Sequence, residues 1–427
     1  MSNLPVTERD LFVVGTGIAG MSAAVYAANR GLSVSQAGST GEIVFSSGLF
    51  DVMAVHPVEE KKLWDNPWEA MAAVSADMPN HPYARVTRDD VEKAYGELFD
   101  FLSKFGLHYR MEKEANCKVL TPIGTEKTTW AVPATMWAGV EAFKKNAPAL
   151  LIDFKGLREF SAKQVATTIG DKWSNLKTMR LDFPDSASMK PILTGIMAQA
   201  MELKETREKL YALIKPHLDG VEAVGVPAIL GIYTADEILE EMEKELGVKV
   251  FELPTLPASV PGMRLKSLFE GRISTLGVDL KLQHKVFSIT PLDDGRYEVT
   301  FGVQAPTEKV VAKGVVLATG RFLGGGLFAD RHHIVETVMG LPVSQPADRE
   351  EWHRTDLLDP RGHKVSSAGV EVDSSFQPVD ENGNVVHERV YAVGSLLAHQ
   401  DWMRMKCGTG IAVASSLRAV EAFVAQQ

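Results

Sequence analysis

The chain has 427 residues, 45% of them hydrophobic and 23% charged, with a formal net charge of −10. That length and composition suit two globular domains, or one fold carrying a large insertion, and exclude a repetitive or disordered chain. Charges mixed along the chain leave no basic stripe for nucleic acid, and two distant cysteines, Cys117 and Cys407, lack the spacing for zinc or an iron–sulfur cluster.

The polar first residues show no basic and apolar leader, which predicts a cytoplasmic protein. No run reaches the roughly 20 apolar residues that cross a bilayer, so membrane contact is expected only through a partner. Residues 10–14 read as a short buried strand, followed at once by Gly15, Gly17 and Gly20 and a helix over 21–30 with a small face of Ala23, Ala24 and Ala27. Three glycines in this order serve a tight turn, a close approach of backbone to pyrophosphate, and tight packing of helix on strand. The amides of this turn, Ile18 and Ala19 included, and the helix N-terminus offer a positive end to a phosphate.

Gly31 stands where the helix should be capped, and residues 32–37 supply a second strand that completes one βαβ unit. A carboxylate for the adenosine ribose is expected about 20 residues past the glycines. Gly38 occupies that cofactor-side position, and neither Gln36 nor Ala37 can replace a carboxylate. In Phe45-Ser46-Ser47-Gly48, residues Ser46, Ser47 and Gly48 form a small polar loop suited to a flavin ring, or in the plainer reading an ordinary serine turn.

Residues 57–112 read as helices, with Val91, Ala94, Tyr95, Leu98, Phe99 and Leu102 at helical spacing. The pattern weakens over 113–225, read as an inserted cap or substrate region with a helical stretch over 189–215. Order returns in a strand at 223–232, a helix at 234–246, a strand at 248–253 and a proline-rich shaped loop at 253–262. A helix over 263–275 and strands near 280–289 and 297–303 lead to a strand at 314–318, which ends in Ala318-Thr319-Gly320. Arg321 and Arg331 follow. With Arg264, they are the guanidinium groups expected to hold an anionic substrate, their bland alternative being pairing with surface carboxylates. No histidine pair has metal-binding spacing, so no metal is expected and no base is assigned.

A strand at 389–393 leads to Gly394-Ser395, and Cys407-Gly408-Thr409-Gly410 opens a last helix at Ile411, repeating the strand, glycine and helix order of the N-terminus. The fold class expected is α/β, a discontinuous Rossmann-like FAD-binding fold over 1–56 and 255–427, with an inserted cap or substrate domain over 57–254.

The glycine turn, Phe45-Ser-Ser-Gly48, His81-Pro-Tyr83, Thr121-Pro-Ile-Gly124, Leu253-Pro-Thr-Leu-Pro-Ala-Ser-Val260, Ala318-Thr-Gly-Arg-Phe322, Gly325-Gly-Leu327 and Cys407-Gly-Thr-Gly410 together resemble the B subunits of anaerobic glycerol-3-phosphate dehydrogenase. In broader outline the chain is similar to flavoproteins of the fumarate reductase and glutathione reductase type. The resemblance implies oxidation of sn-glycerol 3-phosphate, a small phosphorylated polyol, to dihydroxyacetone phosphate. It implies an A-type flavoprotein subunit and an iron–sulfur C-type subunit as partners, with electrons passing to the quinone pool. FAD is the expected cofactor and FMN the alternative, because Gly38 replaces an acidic residue and Ser395 stands where general flavoproteins carry an aspartate after glycine. The rival expectation is a noncatalytic flavin-fold subunit that relays electrons or docks the true dehydrogenase.

Overall fold

The computed structural model describes residues 6–39, 42–186 and 191–427. The chain opens with β1 (Val6–Val14), α1 (Ile18–Asn29) and β2 (Val34–Gly38). Its middle carries β3 (Ala149–Phe154), β4 (Leu176–Leu181), β5 (Ala223–Pro227), α2 (Ala235–Leu246) and β6 (Lys249–Leu253). It returns through β7 (Asp279–Leu282), β8 (Lys285–Pro291), β9 (Tyr297–Gly302), β10 (Glu308–Leu317) and β11 (Val390–Ala392), and ends on α3 (Gly408–Ala425).

Two compact units result, one from residues 1–42, 51–100 and 269–427, the other from 43–50 and 101–268. These bounds differ from those expected. Residues 51–100 fold with the first unit because Tyr26 donates its hydroxyl to the Ala94 carbonyl at 2.7 Å and Arg30 pairs with Glu97 at 3.0 Å. Residues 43–50 and 255–268 fold with the second, where the Ser259 hydroxyl donates to the Ser46 carbonyl at 2.5 Å.

In the first unit one sheet runs β7-β2-β1-β10-β9-β8, with β11 on the free half of the β10 edge. β7, β2, β1, β10 and β11 are parallel, while β9 and β8 form an antiparallel extension. Leu11 to Val14 and Val315 to Leu317 are buried on both faces, as continuous apolar runs in a covered parallel sheet require. β1 starts four residues earlier than the apolar pattern suggests, since Val6 to Arg9 pair with Lys309 to Ala312 while staying at least partly exposed. α3 packs on α1, the Ser416 hydroxyl donating to the Ala19 carbonyl at 2.9 Å. α3 has the length and mean hydropathy of a membrane span, yet most of it is buried inside the protein.

The second unit holds a four-stranded parallel sheet, β6-β5-β3-β4. Its two faces are separately filled: Leu150, Ile152 and Phe154 enter one apolar cluster, Ala149 and Leu151 another. The region read as weakly patterned thus contains β3 and β4. The helical stretch expected over 189–215 is two helices, Thr194–Met201 and Lys204–Ile214, and its first two residues lie outside the described residues. The first turn of α2 receives no bond from its own cap side chain. Instead the Glu202 carboxylate accepts from the Ile232 and Tyr233 amides at 2.7 and 2.8 Å and from the Thr234 hydroxyl at 2.5 Å.

Candidate functional site

Parallel pairing in the first unit sets several strand ends level. Val14 is in register with Ala37 on one side and Leu317 on the other, and Leu317 with Ala392. The turns that leave these ends, at Gly15, Gly38, Ala318 and Gly394, therefore open on the same edge of the sheet. That carboxyl edge is where open α/β sheets bind their ligands.

The three early glycines have separable roles. Gly15 has φ +116°, and a side chain there would also overlap the Ala318 carbonyl, so it lets β1 and β10 end in contact. A Cβ on Gly20 would overlap the Gly15 carbonyl oxygen, so its absence seats α1 against the turn. Gly17, at the N-cap of α1, faces open space, and a methyl group placed on it would meet nothing within 4 Å. Of the α1 amides, Met21 donates to the Gly17 carbonyl at 2.9 Å, so Ile18, Ala19 and Gly20 form the unpaired first turn aimed beyond the strand ends. This is the donor set a pyrophosphate needs.

Several other predicted residues of the first unit lie at this edge. Gly394, with φ +70°, comes within 2.7 Å of the Ala19 side chain when given a Cβ, and Gly320 comes within 3.7 Å of the Ser395 hydroxyl in the same way. Thr319 Oγ1 is buried with no hydrogen-bond partner among the described residues, a group that a cofactor hydroxyl or phosphate would satisfy. At α3 the first helical bond is from the Ile411 amide to the Cys407 carbonyl at 3.0 Å, which leaves the Gly408, Thr409 and Gly410 amides as a second helix N-terminus. The Thr409 side chain itself is spent: its hydroxyl accepts from the Asp51 amide at 2.6 Å and lies 3.1 Å from the Asp51 carbonyl. Gly410 is glycine because Tyr83 Oη and the Asp51 carbonyl fill the space beside it.

The missing ribose carboxylate has a steric cause. A Cβ at Gly38 would stand 2.6 Å from Thr16 Oγ1 and 2.8 Å from the Thr16 amide nitrogen. Gln36 does not substitute for it, since its Nε2 donates to the Gly15 carbonyl at 2.8 Å and ties the turn to β2.

Two of the three arginines expected to grip an anion are engaged in the fold. Arg321 donates Nε to the Ser395 carbonyl at 2.7 Å and its two terminal nitrogens to the carbonyls of Ser366, Leu397 and Gln400. Burial lowers its pKa to about 10. It is a positioning residue that holds the loop after β11. Arg264, in the second unit, donates to Glu252 and to the Gly231 carbonyl and is 3% exposed. Burial pushes the Glu252 carboxyl up, but the Arg264 charge and hydrogen bonds, with the Leu230 amide, outweigh it and hold Glu252 ionised. Arg331 alone is exposed. Sequence periodicity carries no signal for such engagement, because the acceptors are main-chain carbonyls and one distant carboxylate.

Ser46, Ser47 and Gly48 belong to the second unit. A Cβ on Gly48 would stand 2.6 Å from the Pro261 side chain, and the Gly48 carbonyl accepts from Tyr109 Oη at 2.9 Å. Ser46 and Ser47 line a cavity in that unit. No cluster of three or more metal-ligating side chains occurs among the described residues.

A family model described as FAD binding domain matches residues 10–411. Curated relatives named as the B subunit of anaerobic glycerol-3-phosphate dehydrogenase include that of Aliivibrio fischeri, 28% identical over 98% of this chain and 95% of its own length, and that of Vibrio vulnificus, 27% identical over 96% and 95%. A Halobacterium salinarum protein, named as the probable B subunit of the same enzyme, is 26% identical over 96% of this chain and 97% of its own.

Proposed function

Because this chain belongs to the FAD binding domain family, we propose that it is the FAD-carrying subunit of a complex that oxidises sn-glycerol 3-phosphate to dihydroxyacetone phosphate. The observation that carries this reading is the level edge formed by Gly15–Gly20, Ala318–Gly320, Gly394–Ser395 and the N-terminus of α3. Full-length relatives named as a B subunit support an A-type flavoprotein and an iron–sulfur C-type subunit as partners, with electrons leaving to a quinone. The reading places the protein in the cytoplasm, reaching a membrane only through those partners.

FAD is preferred over FMN, since the family is defined by FAD and the donor set suits a diphosphate. Bound FAD would supply the acceptor for the hydride of a substrate C–H bond. The chain's part is to hold it. The amides of Ile18 to Gly20 would hold its pyrophosphate, Thr319 Oγ1 would donate to a polar cofactor atom, and the amides of Gly408 to Gly410 would offer a positive helix end to the flavin.

One observation favours an electron-relay role over direct oxidation of the polyol. Arg264 and Arg321 each spend four of their five guanidinium N–H groups inside the fold, so neither keeps the pair that a bidentate grip on phosphate takes, which leaves exposed Arg331 as the candidate. Acid release of the cofactor and its mass identify the flavin; a protein that takes up neither FAD nor FMN refutes the reading. In the reconstituted complex, Arg331→Ala should leave glycerol 3-phosphate turnover unchanged if the phosphate is bound by the A-type partner, and should raise KM with kcat kept if it is bound here.

A further inference from the structure

His399 belongs to the first unit, in the stretch that joins Gly394 at the carboxyl edge of the sheet to the N-terminus of α3. Both ends of that stretch are parts of the edge proposed to hold FAD, and its middle is kept close to them. The Arg321 guanidinium, just past the end of β10, bonds the carbonyls of Ser395, Leu397 and Gln400 together, so residues 395–400 fold around one planar group. Gln400 Nε2 also reaches back to the Gly394 carbonyl at 2.9 Å.

Inside this clamp His399 has φ +62°, a left-handed conformation that histidine adopts more readily than most residues but still at a cost. Its surroundings impose it: the His399 amide donates to the Ser367 carbonyl at 2.9 Å and the Ala398 amide to the Val370 carbonyl at 3.0 Å. The ring is thereby brought against Glu371, with Nε2 2.6 Å from Oε1. A carboxylate in that place keeps the ring proton on Nε2 and the lone pair on Nδ1. Nδ1 has no hydrogen-bond partner among the described residues and, unlike His81 Nε2, is not sealed from water. The other charged or titratable groups nearby are committed. Burial lowers the pKa of His81 to about 3, Arg85 donates to the Val372 carbonyl beside Glu371, Arg321 is engaged by carbonyls, and Asp401 pairs with Arg404 at 3.0 Å.

A unit charge about 10 Å away, at an effective dielectric constant of about 20, moves the titration of a group by about one pH unit. Electrons arriving on a flavin held between Gly394 and the N-terminus of α3 bring such a charge. We propose that His399, paired with Glu371, is the proton-exchange group coupled to the electrons on bound FAD. Its Nδ1 takes a proton from water when two electrons drawn from the polyol arrive, and returns it to water as they leave singly for an iron–sulfur partner, which carries electrons without protons. The proposal rests on the flavin reading and holds whether the polyol is oxidised on this chain or on its A-type partner.

The test measures the midpoint potential of the flavin in the FAD-loaded, full-length protein by spectroelectrochemistry, across the pH range in which histidine titrates. The added electrons raise the proton affinity of His399, so over one pH interval the potential should fall more steeply, by up to about 30 mV per pH unit, the value of one extra proton per two electrons. His399→Asn, chosen because asparagine tolerates positive φ, should abolish the steeper interval. Glu371→Gln keeps an acceptor for Nε2 but removes the charge that favours the protonated ring, so the interval should move to lower pH. The proposal is overturned if the loaded wild-type protein shows no such interval, if His399→Asn retains it, or if Glu371→Gln leaves it in place. Visible absorbance before each titration reports flavin content. Protein that takes up no flavin refutes the flavin reading itself, whereas loaded protein without the interval refutes the role of His399 alone.

Discussion

Arg264 and Glu252 meet in a two-pronged ion pair, Nη1 to Oε2 at 2.6 Å and Nη2 to Oε1 at 2.8 Å, with both side chains cut off from water. Removing one member strands the other as a buried charge. Arg264→Ala should therefore lower stability by about 3–5 kcal/mol in denaturant titration, whereas the double change Arg264→Met with Glu252→Leu should recover most of the loss. A stable Arg264→Ala protein with impaired turnover would instead point to a role toward substrate.

The glycine turn separates folding from binding. Gly20→Ala drives a methyl group into the Gly15 carbonyl and should lower the melting temperature and the bound flavin together. Gly17→Ala meets nothing of the protein, so it should leave melting of the flavin-free protein unchanged and weaken FAD by crowding the phosphate. Thermal melts beside the visible absorbance of purified protein distinguish the two outcomes.

His81 gives the first unit a pH dependence. Its ring is wholly buried, and its Nδ1 accepts from the Tyr83 amide at 3.2 Å. Burial, with His56, His399 and Arg85 nearby, lowers its pKa to about 3. Between the ordinary histidine value and that folded value the unfolded chain holds a proton that the native chain refuses. Stability from this residue is thus complete above the unfolded pKa and declines as pH falls, by at most about 1.4 kcal/mol per pH unit. His81→Asn keeps an acceptor for Tyr83 and should flatten the fall in melting temperature between neutral pH and pH 4.

Arg321→Lys preserves charge but cannot reach four carbonyls at once. It should loosen the loop after β11 and reduce flavin retention, with KM for glycerol 3-phosphate unchanged in the fraction that keeps flavin. A rise in KM at full flavin content would restore the anion-binding reading.

Much of the strand, glycine turn and helix order at the carboxyl edge of the sheet was legible because its elements are local. The run at 10–14, the glycines and the helix after them specify one another within about two dozen residues, and the strand at 314–318 announces itself by apolar composition. The strands β3 and β4 were missed although Ala149 to Phe154 is wholly buried. A short apolar run that follows Pro148 has no alternation, because both faces of the sheet are covered. β4 alternates only weakly, with Lys177, Thr178 and Arg180 exposed. The engagement of Arg264 and Arg321 in the fold was not legible for another reason: a guanidinium's partners are set by tertiary folding. Arg321 is satisfied by carbonyls 45 to 79 residues away, which no local pattern encodes. Thr409 was rightly placed at the helix start, but its hydroxyl answers to Asp51, 358 residues distant.

The contact between Thr16 and the empty side of Gly38 makes the two positions interdependent. An aspartate or glutamate cannot be grafted at 38 by a single change, because its first carbon would land on the threonine before the carboxylate reached any ribose. Shortening Thr16 to glycine or alanine would clear its side chain but not its amide nitrogen, 2.8 Å from the same carbon, so the backbone of the turn would have to shift as well. Tuning this protein's preference between adenosine-bearing and shorter flavins is therefore a matter of rebuilding the path of the turn after β1, which no exchange of side chains at 16 and 38 achieves by itself.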